Sequence, residues 1–132
     1  MKLEQIRIVI VEDEPDTAEM FAEMMRLSGY HVQKVYGGTP AIALISHEIP
    51  DAVVLDVMMP DLSGLEVLRY LRRDPRLEKI PVIVVSAKSL PSDIKDGLDA
   101  GANKYLTKPV AFQDLNAAVQ EVIATASTRK DR

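Results

Sequence analysis

The 132-residue sequence contains no cysteine and no tryptophan. Without cysteine there is neither a disulfide framework nor a thiolate metal site, and a reducing interior is permitted. Long apolar runs are missing too. Runs such as Ile8-Val9-Ile10-Val11 and Val82-Ile83-Val84-Val85 are far too short to cross a bilayer, and the N-terminus lacks the apolar region of a signal peptide. An excess of positive charge is also absent: the formal charge is −4, whereas duplex binding leans on clustered Lys and Arg to neutralise phosphates. These absences lead us to expect a soluble, cytoplasmic chain with no direct nucleic-acid partner, no membrane insertion and a protein as its partner. What is present, 47% hydrophobic and 27% charged residues, is the composition of one globular domain able to bury a core unaided.

Short apolar, β-branched runs recur at Ile6 to Val11, His31 to Tyr36, Ala52 to Asp56, Val82 to Val85 and, more weakly, Lys104 to Leu106. The first, third and fourth are almost continuously apolar, as strands of a parallel sheet covered on both faces require. Helical spacing fills the intervals. Ala18, Phe21, Ala22 and Met25 fall at i, i+3, i+4, i+7, and Ser28-Gly29 closes that helix. Thr39-Pro40 is expected to cap and open a second helix with Ala41, Leu44 and Ile45 inward. Ser63-Gly64-Leu65-Glu66 reads as a capping box before Leu68 and Leu71. A fourth helix is expected over residues 92 to 100 with Ile94 and Leu98 inward and Gly101 as its stop, and a fifth carries Leu115, Ala118, Val119 and Val122. Five strand-then-helix units imply an α/β fold with a five-stranded parallel sheet and helices on both faces. Residues 1–124 are read as this domain, and the polar stretch 125–132 as a disordered end or the start of a linker. No internal repeat or low-complexity segment appears.

In an open sheet of this kind ligands bind beyond the carboxyl ends of the strands. The first strand ends in Val11-Glu12-Asp13-Glu14 and the third in Leu55-Asp56-Val57-Met58. Crowded carboxylates repel and need a cation among them, and hard oxygen ligands suit Mg²⁺. The fourth strand offers the hydroxyl of Ser86 at the same edge, and the fifth is followed by Thr107-Lys108-Pro109, which offers an ammonium. A carboxylate nucleophile, a divalent ion, and Lys and Ser donors for phosphoryl oxygens have the logic of phosphoryl transfer to Asp56.

At this point the chain resembles the receiver domains of two-component response regulators, of the chemotaxis-regulator type, over residues 6 to about 124. The resemblance rests on Val11-Glu12-Asp13, Asp56-Val57-Met58-Met59-Pro60-Asp61-Leu62-Ser63-Gly64, Ser86-Ala87 and Gly101-Ala102-Asn103-Lys104-Tyr105-Leu106-Thr107-Lys108-Pro109, in this order. It implies the flavodoxin-like strand order 2-1-3-4-5. It implies that Asp56 accepts a phosphoryl group from a histidine kinase or a histidine phosphotransfer protein. Asp13 would bind Mg²⁺ directly, Glu12 would help through water, and Met58 would lend its backbone carbonyl. Lys108 would pair with a phosphoryl oxygen, Ser86 would move to bond the attached group, and Tyr105 would turn inward with it. The Lys108-Pro109 bond is expected to be cis. A downstream protein or output domain would read the change, and the phosphorylated chain could form a homodimer. Such a receiver is a signalling protein and not an enzyme, although it takes part in its own phosphoryl transfer and dephosphorylation.

Plainer readings stand beside these. Glu12 and Asp13 could cap the first helix, Ser86 could bond backbone at a strand end, Lys108 could be a surface charge and Tyr105 could be half-buried packing. Asp56 resists such a reading, because a carboxylate at the end of a buried strand needs a partner. Met58 and Met59 are expected to pack in their loop, His31 and His47 to be ordinary structural residues, and Arg69, Arg72 and Arg73 to form the solvated face of the third helix. An aspartate-nucleophile phosphohydrolase would usually carry a second Asp two positions beyond the nucleophile, where Met58 stands. A degenerate receiver acting only as an interaction module is the other alternative. Val110 stands where receivers often have Phe, and Leu90-Pro91 stiffens the loop that usually rearranges.

Overall fold

The computed structural model describes residues 5–130. Five strands alternate with five helices: β1 (Arg7–Val11), α1 (Pro15–Leu27), β2 (His31–Val35), α2 (Gly38–His47), β3 (Ala52–Asp56), α3 (Gly64–Arg73), β4 (Val82–Ser86), α4 (Pro91–Asp99), β5 (Lys104–Thr107) and α5 (Phe112–Lys130). The strands form one parallel sheet in the order β2-β1-β3-β4-β5. The fold class is that expected from the periodicity, and the strand order is that implied by the resemblance.

The period of two along each central strand divides the core. Ile8, Ile10, Val54, Ile83 and Val85 meet Phe21 and Met25 of α1 and Leu115 and Val119 of α5 on one face. Val9, Val11, Val53, Leu55, Val82 and Val84 meet Ile45 of α2 and Leu68 and Leu71 of α3 on the other. β3 and β4 are buried at every position, which is why their sequences are apolar up to the closing Asp56 and Ser86. Each aliphatic side chain so buried contributes roughly 1.5–3 kcal/mol. Truncating one, such as Leu71, would cost about 2–5 kcal/mol.

The helix ends follow local chemistry, with informative departures. In α1 the Glu14 carboxylate accepts from the N–H groups of Asp16 and Thr17, Pro15 occupies the first turn, and Gly29 takes a φ of 97° just past the end. α3 starts at the expected residue, with Ser63 Oγ accepting from Glu66 N, which is one of the two bonds of the expected capping box. α2 does not. It begins at Gly38, one residue before Thr39, and its first N–H groups bond to the carboxylate of Asp61 from another loop. In α4 Leu98 is exposed and only Gly97 is fully buried, because the helix lies against the Tyr105 ring through the gap that glycine leaves.

Three further expectations change. α5 continues past residue 124 to Lys130, since nothing in Thr125 to Arg129 breaks a helix; residues 131 and 132 of the expected tail lie outside the described residues. Arg72 leaves the solvated face. Its guanidinium bonds to the carbonyls of Gly101, Glu78 and Ile80 and to Asn103 Oδ1 at 2.8–3.1 Å, and burial pushes its pKa down. Of the two loop methionines, Met59 is buried and Met58 is 53% exposed, so only Met59 packs.

Candidate functional site

Register brings the strand ends together. Val11 pairs with Leu55, so Glu12 and Asp56 follow side by side, and Asp56 pairs with Val85, next to Ser86. Ser86 in turn pairs with Thr107, the residue before Lys108. Glu12, Asp56 and Ser86 are the buried polar residues of the described part of the chain, and they lie at this one edge. One carboxylate oxygen each from Glu12, Asp13 and Asp56 lie within 4.8 Å of one another.

Three carboxylates this close need positive charge, and the described residues supply one ammonium. Lys108 Nζ stands 2.6 Å from Glu12 Oε1 and 3.5 Å from Asp56 Oδ2. Burial works against the Lys108 charge, yet its bond to Glu12 and the charge of Asp56 outweigh it and hold its pKa above the ordinary value. Asp13 shows the opposite imbalance: burial, then the neighbouring Glu12 carboxylate, push its pKa up. One cation for three carboxylates leaves room for another. All-oxygen donors around excess negative charge fit Mg²⁺, which takes one or two carboxylates and completes its shell with carbonyls, waters or phosphate oxygens.

Asp56 is held from below. Met58 N donates to Asp56 Oδ1 at 3.3 Å, and Gly64 N donates to Val57 O at 2.9 Å. A Cβ on Gly64 would lie 2.1 Å from Asp56 O, so the loop can return under the aspartate only with glycine there. On the other side, Ser86 Oγ accepts from Lys88 N at 3.1 Å, and Lys108 N donates to Ser86 O at 2.8 Å. The Lys108-Pro109 bond is cis. Tyr105, on the neighbouring strand, donates its hydroxyl to Lys88 O at 2.8 Å, and burial raises its pKa. Glu12, Asp13, Asp56, Met58, Ser86 and Lys108 therefore converge on one edge of the sheet, with Tyr105 beside them.

Sequence reasoning missed three participants. Lys88 joins Ser86 and Tyr105 through its main chain, which no residue-type pattern signals. Glu14 caps α1, and its N–H bonds Glu12 Oε2 at 3.2 Å. Asp61, quoted only as part of a motif, ties the loop after Asp56 to α2; the signal available was a helix start with glycine at the cap and no side chain to serve it.

Residues 8–120 match the response regulator receiver domain model. Response regulator MprA of Mycobacterium sp. strain KMS is 40% identical over 122 residues, 92% of this chain and 52% of that protein. Its counterpart in Mycolicibacterium vanbaalenii is 41% identical over 118 residues, 89% of this chain and 50% of that protein. The chain thus spans about half the length of these relatives. Among solved structures, the receiver domain of a sensor histidine kinase from Pseudomonas aeruginosa PAO1, with a magnesium ion coordinated in its active-site cleft, superposes with a TM-score of 0.84 at 31% identity, covering 90% of this chain and 98% of that one. The signal receiver domain of a signal transduction histidine kinase from Syntrophus aciditrophicus gives a TM-score of 0.84 at 34% identity, covering 90% of each chain.

Proposed function

The chain belongs to the response regulator receiver domain family, and from that premise we propose that Asp56 is the phosphoacceptor, assisted by Lys108 and Ser86. The observation that carries this reading is the meeting of three carboxylates with one lysine at the ends of β1, β3 and β5. Glu12, Asp13, Asp56 and the Met58 main-chain carbonyl would hold Mg²⁺, Glu12 through water. Bound there, the ion would neutralise phosphoryl oxygens as charge develops on them.

The donor is a phosphohistidine of a histidine kinase or histidine phosphotransfer protein. Asp56 Oδ attacks phosphorus, the bond from phosphorus to the imidazole nitrogen breaks, and the electron pair leaves with the imidazole. Lys108 Nζ, already 3.5 Å from Asp56 Oδ2, bonds one of the new oxygens. The phosphoryl group brings roughly −1.5 to −2 charges and three strong acceptors. Ser86 Oγ turns to one of these, giving up its bond from Lys88 N. Tyr105, hydrogen-bonded to Lys88 O, is released into a second arrangement that a protein partner or output domain reads, with homodimerisation as one form of output.

The chain is a signalling protein; the part it takes in its own dephosphorylation belongs to the proposal. So do the domain limits, with the receiver over 1–124 and 125–132 as a polar tail or the start of a linker, and a cytoplasmic location without nucleic-acid contact. No helix among the described residues is long and apolar enough to cross a membrane. The test is intact-mass measurement after incubation with acetyl phosphate and Mg²⁺. The wild type should gain one phosphoryl group and Asp56→Asn none. An unmodified wild type, or an equally modified variant, would overturn the assignment.

A further inference from the structure

The loop after Asp56 runs from residue 57 to residue 63, and its base is closed on itself. Gly64 N bonds to Val57 O, and Met58 N bonds to the Asp56 carboxylate. Its far side is held differently. Asp61 Oδ1 accepts from Gly38 N at 3.1 Å and Asp61 Oδ2 from Thr39 N at 3.0 Å. Among the described residues these are the hydrogen bonds that tie the loop to an element other than β3 and α3.

α2 is built to receive this carboxylate. Its cap is Gly37, which has no side chain to satisfy the first N–H groups. A Cβ on Gly37 would lie 3.2 Å from Asp61 Oδ2, and one on Gly38 would lie 2.7 Å from Leu62 O. The start of α2 and the loop therefore pack against each other with glycine at both points of approach. The positive end of the helix dipole and two charge-assisted bonds fix the carboxylate there.

We infer that Asp61 is a positioning residue, which by tying this loop to the start of α2 sets where the main chain of Met58 stands relative to Asp56. Met59 is buried in the core and Met58 is exposed beside it, so the short stretch from Asp56 to Asp61 has one anchor in the core and one at α2. Releasing the second lets the Met58 carbonyl leave the place a metal ligand must occupy. The inference rests on the role proposed for Met58 and adds what holds that carbonyl in position.

The test compares Asp61→Ala, Asp61→Asn and Asp51→Ala. Asp51 also bonds a backbone N–H, that of Arg7 at 2.8 Å, at the opposite end of the sheet. Mg²⁺ affinity is read from amide NMR shifts on titration with MgCl₂, and the Met58 amide is followed by hydrogen exchange in metal-free protein. Asp61→Ala should weaken Mg²⁺ binding by about 10-fold or more, the usual loss when a group that orients a metal ligand is removed. Its Met58 amide should exchange faster. Asp61→Asn, which keeps one acceptor for the helix start, should recover part of the affinity, and Asp51→Ala should bind Mg²⁺ like the wild type. Unchanged Met58 exchange in Asp61→Ala overturns the inference, as does an Asp51→Ala variant that loses affinity equally, since the effect is then one of global stability. A wild type that binds Mg²⁺ but takes no phosphoryl group would sink the role of Asp56 and leave these readouts intact.

Discussion

The ammonium of Lys108 sits 2.6 Å from Glu12 and 3.5 Å from Asp56. Its shorter bond therefore goes to a carboxylate other than the proposed acceptor. Glu12 is 2% exposed, and a buried carboxylate without its cation is costly. Under the proposed function the lysine has two tasks, neutralising Glu12 in the resting state and meeting the phosphoryl oxygens afterwards, and a bound Mg²⁺ would take over the first.

Replacing Lys108 should separate these tasks. Lys108→Met should lower stability in EDTA by roughly 2 kcal/mol, the scale for a buried charged acceptor deprived of its donor. Mg²⁺ should restore more stability to the variant than to the wild type, because the ion replaces the missing charge as well as binding the folded state. Urea unfolding with and without Mg²⁺ measures both, and equal gains would count against this division of labour.

Alkaline pH should show the same pair from the other side. The folded pKa of Lys108 lies above its ordinary value of 10.5. A raised cationic pKa gives stability that is complete below the unfolded value and is lost as pH rises through the folded one. Across pH 10.5 and above, the stability gap between wild type and Lys108→Met should therefore shrink. Denaturant midpoints of both proteins over that range give the answer, and a gap that stays constant would assign the wild-type advantage to packing.

Two glycines should respond differently to alanine. At Gly64 the new Cβ would lie 2.1 Å from the Asp56 carbonyl oxygen, and at Gly97 it would lie 2.6 Å from the Tyr105 ring. Backbone of a buried strand cannot yield, whereas a half-exposed ring can swing away. Gly64→Ala should cost about 1–3 kcal/mol or more by overpacking and slow phosphorylation by acetyl phosphate. Gly97→Ala should keep most of its stability while breaking the bond from Tyr105 Oη to Lys88 O, visible as altered Tyr105 ring resonances. A ring that stays in place in that variant would refute the steric reading.

Arg72 should behave as a structural clamp. It joins α3 to the corner at Gly101, where φ is 114°, and to the start of β4. Arg72→Ala should destabilise by about 2–3 kcal/mol, and Arg72→Lys should not rescue it, since a single ammonium cannot reproduce the planar fork. Thermal unfolding distinguishes this from a solvated arginine, whose loss would change little.

Arg72 also marks where the sequence stops being legible. Strands β1, β3 and β4 declare themselves through burial on both faces, and Glu12, Asp56 and Ser86 declare the edge because each ends or follows such a strand, with Lys108 just past the shorter and more exposed β5. A pattern of spacing on α3 places Arg72 on the outer side, but whether it meets water or carbonyls depends on where β4 and β5 begin. Leu98 fails for a related reason: the helical period points it inward, while the contact that seats α4 is the missing side chain of Gly97 against Tyr105. The start of α2 likewise depends on Asp61, twenty-odd positions away. Local signals carry what a segment wants, and long-range partners decide which of those wants is met.

Asp61 lends itself to an acid test. Hydrogen bonds from Thr39 and Gly38 hold its pKa at about 2, against an ordinary 3.8. A depressed carboxylate pKa gives stability that is present above the unfolded value and is lost as pH falls through the folded one. The window is therefore between 3.8 and about 2. Asp61→Asn has no charge there to lose. The wild type should melt at a higher temperature than Asp61→Asn near neutral pH, and the difference should close as the pH falls through that window. Other carboxylates titrate in both proteins and cancel in the comparison. A difference that stays constant or widens on acidification would refute the assignment of the wild-type advantage to the Asp61 charge. Melting curves of the two proteins in EDTA across this range give the answer.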